Sequence, residues 1–273
     1  MPFINVKGLD FYYELTDFRI PWQKRDQTLI FLHGLHGSIK YWNHYQVAFF
    51  SRYFNVLTID QRGHGKSYKP SSGYIIENMA DDIHEIMKAL QIDHANLVGA
   101  SMGGVVSLQM ALAFPSAVKS LVMVDSFPNS PAPLTGVIQS WIDAVEKKGY
   151  EKLMETFNQD NPGLFSKQYL KNRPNFIEYD DREVLNNLMP AEAFIGCCRA
   201  IQNYDASNRL GEIKQPSLLI TSNEGLGYDS AMMMKAKMAN ASLWTPQGVG
   251  HLVNIEIPDD FNQHLLEFLQ SIK

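Results

Sequence analysis

The runs TLIFL (28–32), FNVLTID (54–60), ANLV (95–98), SLVMV (120–124) and SLLITS (217–222) are largely apolar, without polar alternation. A strand of that kind has no face to give to water, so it belongs in a sheet covered on both sides. Helix-patterned stretches supply the covers. Ile76–Leu90 sets Met79, Ile83, Ile86, Met87 and Leu90 on one face, and Met102–Ala113 follows the run ANLV directly. Such alternation implies parallel neighbours and an α/β fold with a mostly parallel, doubly wound sheet. INVKGLDFYYEL near the start reads as a two-stranded hairpin, residues 242–245 as a last strand, and 232–238 and 259–271 as helices.

The alternation stops after Asp125. Residues 127–209 carry several prolines and helical stretches at 134–148, 150–158 and 183–187, and no strand pattern. This segment reads as a helical cap inserted into a core made of residues 1–126 and 210–273. A chain of 273 residues, 45% hydrophobic and 19% charged, has the apolar content for such a core and excludes disorder. Its net charge of −5 and its lack of Lys/Arg runs argue against nucleic acid as a partner. No apolar stretch reaches the ~18 residues that span a bilayer, and MPFINVKGLDFYYEL lacks a secretory pattern. The expectation is a soluble, cytoplasmic protein with no membrane partner. Adjacent Cys197 and Cys198 are expected to be free thiols, and cysteines offer no support for a metal site.

The strongest chemical signal is Gly99-Ala100-Ser101-Met102-Gly103, a G-x-S-x-G between a strand and a helix. That context makes a sharp elbow: the serine stands exposed on a tight turn, and the flanking glycines let the helix approach the sheet. A serine hydroxyl needs a base and the base an orienting carboxylate. Of the eight histidines, His251 in Gly248-Val249-Gly250-His251-Leu252 lies after the last strand and before the final helix, where the order Ser, acid, His requires a base. Gly65-Lys66-Ser67 suggests a phosphate loop, but the motif needs glycine where Asp60 stands, so no nucleotide is implied.

With His33-Gly34-Leu35-His36-Gly37 after the strand TLIFL and Asp60-Gln61-Arg62-Gly63-His64-Gly65-Lys66-Ser67 after NVLTI, four motifs stand in the order found in the α/β-hydrolase superfamily, which the whole chain resembles. The resemblance implies that the backbone N–H groups of Leu35 and Met102 form the oxyanion hole. It makes His33 and His64 structural, and leaves His36, on the oxyanion loop, in reach of substrate. The cap aromatics Trp141, Phe157, Phe165, Phe176 and Phe194 would build an apolar lid and acyl pocket, with several of them serving as cap core.

One departure stands out. The family's usual acid follows the strand after the cap, but here that stretch reads Thr221-Ser222-Asn223-Glu224-Gly225-Leu226-Gly227-Tyr228-Asp229, and the expected position falls near Gly225. Asp125, at the end of the strand before the cap, is the preferred substitute, because some relatives carry their acid there. Glu224 and Asp229 remain alternatives, with Asp229 also suited to capping the helix that follows. The implied activity is a carboxylesterase or lactonase working through Ser101, His251 and Asp125 and an acyl-enzyme, with no cofactor and a small ester or lactone as partner. C–C bond hydrolysis and cofactor-free dioxygenation on the same fold, and a non-catalytic receptor, are the competing readings.

Overall fold

The structure is a computed structural model that describes all residues except 1, 21, 23–26, 162, 177, 179–188, 224, 226 and 273. Eight strands form one sheet: β1 (Phe3–Val6), β2 (Leu9–Thr16), β3 (Thr28–Leu32), β4 (Asn55–Ile59), β5 (Ala95–Ala100), β6 (Val118–Val124), β7 (Ser217–Ile220) and β8 (Ala241–Trp244). Their order is β1-β2-β4-β3-β5-β6-β7-β8. The hairpin β1–β2 pairs antiparallel with itself and with β4, and every pair from β4 to β8 is parallel. Lys7 and Gly8 both have positive φ, 52° and 80°, as a two-residue hairpin turn requires.

Because side chains alternate along a strand, each apolar strand feeds two cores. Leu29 and Phe31 point to one face with Trp42, Phe50 and Phe261; Ile30 and Leu32 point to the other with Met102, Val105 and Val106. On the second face lie α3 (Ile76–Ala89) and α4 (Met102–Ala113); on the first lie a helical stretch from Lys40 to Phe50 and α12 (Pro258–Ser271). The Lys40–Phe50 stretch was not legible as a helix. It comprises α1 (Lys40–Trp42), a π-helical turn at Asn43–Val47 and α2 (Ala48–Phe50). A π turn moves side chains off the 3.6-residue period that reveals a helix in sequence.

Between β6 and β7 the described chain is helical: α5 (Ala132–Lys148), α6 (Tyr150–Met154), α7 (Phe157–Asp160), α8 (Lys167–Asn172) and α9 (Ala191–Asn203). A backbone bridge between Asn129 and Asp205 and the bond from Ala206 N–H to Pro128 C=O (2.8 Å) clasp the two ends of this segment. The expected helix at 150–158 is broken at Glu155–Thr156, and the one at 183–187 lies outside the described residues. After β7 come α10 (Tyr228–Lys237) and α11 (Val253–Glu256). Among the described residues no helix is long and apolar enough to cross a membrane.

The turn after β4 fastens the molecule to itself. Buried Asp60 accepts N–H groups from Ile39 (2.7 Å) and Lys66 (2.8 Å), and its carbonyl accepts Ser67 Oγ–H at 2.5 Å. Arg62 forks onto Asp82 of α3 at 2.5 and 2.6 Å. Residues 65–67 therefore close a turn, and Ser67 is spent on the backbone. Cys197 and Cys198 are free and buried, and burial pushes both thiols up.

Candidate active site

Ser101 stands between β5 and α4 with φ 50° and ψ −118°, a strained conformation for a residue with a Cβ. Close packing enforces it. A Cβ on Gly99 would lie 2.2 Å from Gly103 O, one on Gly103 2.2 Å from Leu32 O, and one on Gly104 2.5 Å from Ser126 Oγ. Only glycine at these positions lets α4 pack against β3 and β5. The turn is further held by Ser101 N–H on Val124 C=O (2.9 Å) and by Ser126 Oγ–H on Ser101 C=O (2.8 Å).

His251 Nδ1 contacts Asp125 Oδ2 in a short hydrogen bond. Asp125 is buried, and its other oxygen accepts Thr221 Oγ1–H and, at 3.1 Å, Gly227 N–H. Its φ of 41° is left-handed, which aspartate tolerates better than most residues. Glycine in the loop after β7 makes room for it: a Cβ on Gly225 would lie 2.6 Å from Asp125 Oδ1 and one on Gly227 2.8 Å. The loop where relatives were expected to keep their acid is thus pared back to admit a carboxylate from the neighbouring strand. Glu224 lies outside the described residues. Asp229 does not cap α10 as expected; the cap position is Gly227, and Asp229 sits in the first turn, where a negative charge meets the positive end of the helix.

Ser101 and His251 line one cavity of about 540 Å³ together with Gly34, Leu35, His36 and Gly37, and α5, α7 and α9 wall it with Leu134, Ile138, Trp141, Phe157 and Ile201. Gly37 N–H bonds to Gly34 C=O at 3.2 Å, so residues 34–37 form a tight turn with His36 at φ 51°. Among the described residues, none of the backbone hydrogen bonds outside regular elements uses the N–H of Leu35 or Met102. Met102 opens α4, whose first N–H groups have no partner within the helix. His36 packs edge-on against Phe157 (4.7 Å between centroids), and Phe157 against Trp141 (5.2 Å), so an aromatic wall runs along the cavity. Phe176 also lines it, whereas Phe194 is buried against Tyr150 and Phe165 against Tyr169.

Beneath the turn, His33 is wholly buried. Its Nδ1–H donates to Gly34 C=O at 2.8 Å while Nε2 accepts Gln61 N–H at 3.1 Å, which fixes a neutral tautomer. Burial pulls His33 down to about 4 and His64, 4.9 Å away between ring centroids, down to about 3. His36 is also held low, to about 4, by burial and by the nearby His64 and His251. In the unfolded chain these rings titrate near 6.5, so below that pH the unfolded state binds protons that the folded state refuses. Stability is therefore complete above about pH 6.5 and falls as the pH drops toward 4; His33 and His64 together contribute a slope of up to ~2.7 kcal/mol per pH unit. Urea midpoints measured from neutrality downward should decline steadily through this range. A flat profile would show that both rings protonate in place.

A family model described as the alpha/beta hydrolase fold matches residues 27–258. The chain belongs to the α/β hydrolase family. This α/β hydrolase is 28% identical over 247 residues to a putative carbamate hydrolase, RutD, of Agrobacterium fabrum, covering 89% of this chain and 92% of that one. It is 25% identical over 245 residues to 3-oxoadipate enol-lactonase 2 of Acinetobacter baylyi, covering 88% and 87%. Among solved structures, an enol-lactonase from Burkholderia xenovorans superposes with a TM-score of 0.88 at 24% identity, covering 99% of this chain and all of that one.

Sequence reading of this α/β hydrolase missed Thr221, Gly227 and Glu256, all of which touch the His251–Asp125 pair or its loop. For Gly225 and Gly227 a signal was present: two glycines stand in the loop from which the usual acid is missing.

Proposed function

We propose that this hydrolase cleaves a carboxylic ester or lactone through an acyl-enzyme on Ser101. The observation that carries the reading is the His251–Asp125 hydrogen bond at the wall of the cavity that Ser101 lines. With Nδ1–H held by the carboxylate, Nε2 is the lone-pair nitrogen and can take the Ser101 proton as Oγ attacks the carbonyl. The negative charge then forming on the carbonyl oxygen meets the N–H groups of Leu35 and Met102, an interaction in which each donor is worth roughly 3 kcal/mol of barrier. His251 returns the proton to the leaving alkoxide, and water, deprotonated by the same nitrogen, releases the acid. None of these steps draws on a cofactor.

Residues 127–209 act as the cap in this reading, with Trp141 and His36 on the binding wall. One relative is named a putative carbamate hydrolase and the other an enol-lactonase, and hydrolysis of a carbamate or a lactone is attack at an acyl carbon, which supports this class of chemistry. The lining is chiefly aliphatic and aromatic, so the group carried by the carbonyl is apolar. The test is turnover of p-nitrophenyl esters of graded chain length, of a lactone and of an aryl carbamate, each with the Ser101→Ala variant as control. Ser101-dependent turnover of an ester or lactone supports the proposal; thermal stabilisation by these compounds without turnover supports a receptor instead.

A further inference from the structure

The segment that carries His251 is gripped from two sides. On one side wholly buried Asn254 accepts Tyr41 Oη–H at 2.7 Å and its carbonyl accepts Gln46 Nε2–H at 3.0 Å. On the other side stands Glu256, 7% exposed and outside the chemistry described so far. Its Oε1 accepts both Ser166 N–H (2.7 Å) and Gly250 N–H (2.8 Å), and its Oε2 accepts Ser166 Oγ–H (2.5 Å). Two backbone bonds run beside it, from His251 N–H to Gly163 C=O (3.1 Å) and from Leu252 N–H to Leu164 C=O (3.2 Å). The fit is close enough to demand glycine: a Cβ on Gly250 would lie 2.7 Å from Leu164 O and 2.8 Å from Glu256 Oε1. Ser166 is in turn the N-cap of α8, accepting Tyr169 N–H at 3.2 Å, and Leu164 lines the cavity.

We infer that Glu256 is a positioning residue for hydrolysis: its carboxyl latches the His251 loop to residues 163–166, so that the base and one cavity wall keep a single geometry. The inference rests on the reading that Ser101 and His251 carry out the reaction. Its physical basis is the accounting of donors. Without the carboxyl, the N–H groups of Gly250 and Ser166 lose their acceptor, and the loop must shift to find another. A displacement of about 1 Å at a reacting group can cost about a hundredfold in rate. Geometry, not charge, is what the latch supplies. Glu256→Gln keeps an oxygen for both N–H groups and can donate its amide to Ser166 Oγ, so it preserves the latch that Glu256→Ala removes.

The test combines steady-state kinetics on a p-nitrophenyl ester with amide hydrogen exchange on the intact chain. Glu256→Ala is expected to lower kcat about a hundredfold through the displaced base, with a smaller rise in KM from the shift of Leu164 at the cavity wall. The same variant should speed exchange at Gly250, His251 and Leu252. Glu256→Gln should stay within about threefold in kcat, with wild-type exchange. Should Glu256→Ala fail to fold, Ser166→Ala removes one of the three bonds and should give a smaller kcat loss with faster exchange at the same amides. Wild-type kcat or unchanged exchange in the folded disrupting variant overturns the inference, as does an equal loss in Glu256→Gln. Wild-type protein that turns over no ester would defeat the hydrolase reading, and the exchange data would still decide whether Glu256 holds the loop.

Discussion

Ser101→Ala is expected to lower kcat by about six orders of magnitude while leaving the fold in place, because in the proposed mechanism the hydroxyl carries the covalent step and the bonds that hold the elbow do not run through it. The strained φ of 50° is imposed by Gly99, Gly103 and Gly104, which the substitution does not touch. Ser101 Oγ takes no part in the hydrogen bonds that hold the turn, which run through its backbone N–H and C=O. Removing His251 should cost about as much, and removing both should cost little more, because a base without its nucleophile accelerates nothing. Steady-state rates of the two single variants and the double variant on one ester decide the matter. Losses that multiply would mean that the two residues act in separate steps.

The second large effect is expected at Asp125. Asp125→Asn preserves the shape of the side chain and, through Oδ1, the acceptor for Thr221 Oγ1–H and Gly227 N–H. What changes is the partner of His251. The new amide donates to Nδ1, so the ring proton moves to Nε2, and the nitrogen proposed to take the Ser101 proton is no longer basic. A fall in kcat of about four orders of magnitude should follow, with circular dichroism and thermal midpoint close to wild type. Full activity in Asp125→Asn together with a loss in Glu224→Gln would transfer the acid role to Glu224. A loss in Asp125→Asn accompanied by unfolding would show that the carboxylate acts through packing, and the near-isosteric change makes that outcome easy to recognise.

The elements that read correctly from sequence share one property: their signal is local. An apolar run of five residues such as TLIFL reports a strand buried on both faces, and G-x-S-x-G reports an elbow because close approach of α4 to β3 forbids any side chain at Gly103. The elements passed over or read differently have weak or misleading local signals. The Lys40–Phe50 stretch hides behind a π turn, and the helix expected at 150–158 breaks at Glu155–Thr156. Asp229 resembles a helix cap by residue type, but Gly227 takes the cap and Asp229 falls inside the first turn.

Residue order alone sufficed to place Ser101 on an elbow between a buried strand and a helix, to make the sheet mostly parallel, and to put a histidine loop after the last strand. Each of these follows from residue types within a few positions of one another, through sterics and the periodicity of burial. Which carboxylate meets His251 depends instead on how the strands pack. Asp125 is 126 positions away from it, and their contact depends on β6 and β7 being neighbours and on two glycines that keep Cβ atoms out of the space the carboxylate fills. The same holds for Glu256, whose partner Ser166 stands 90 positions away. Side-chain hydrogen bonds between distant segments leave no periodic trace in sequence, because their geometry is set by how the sheet and helices pack.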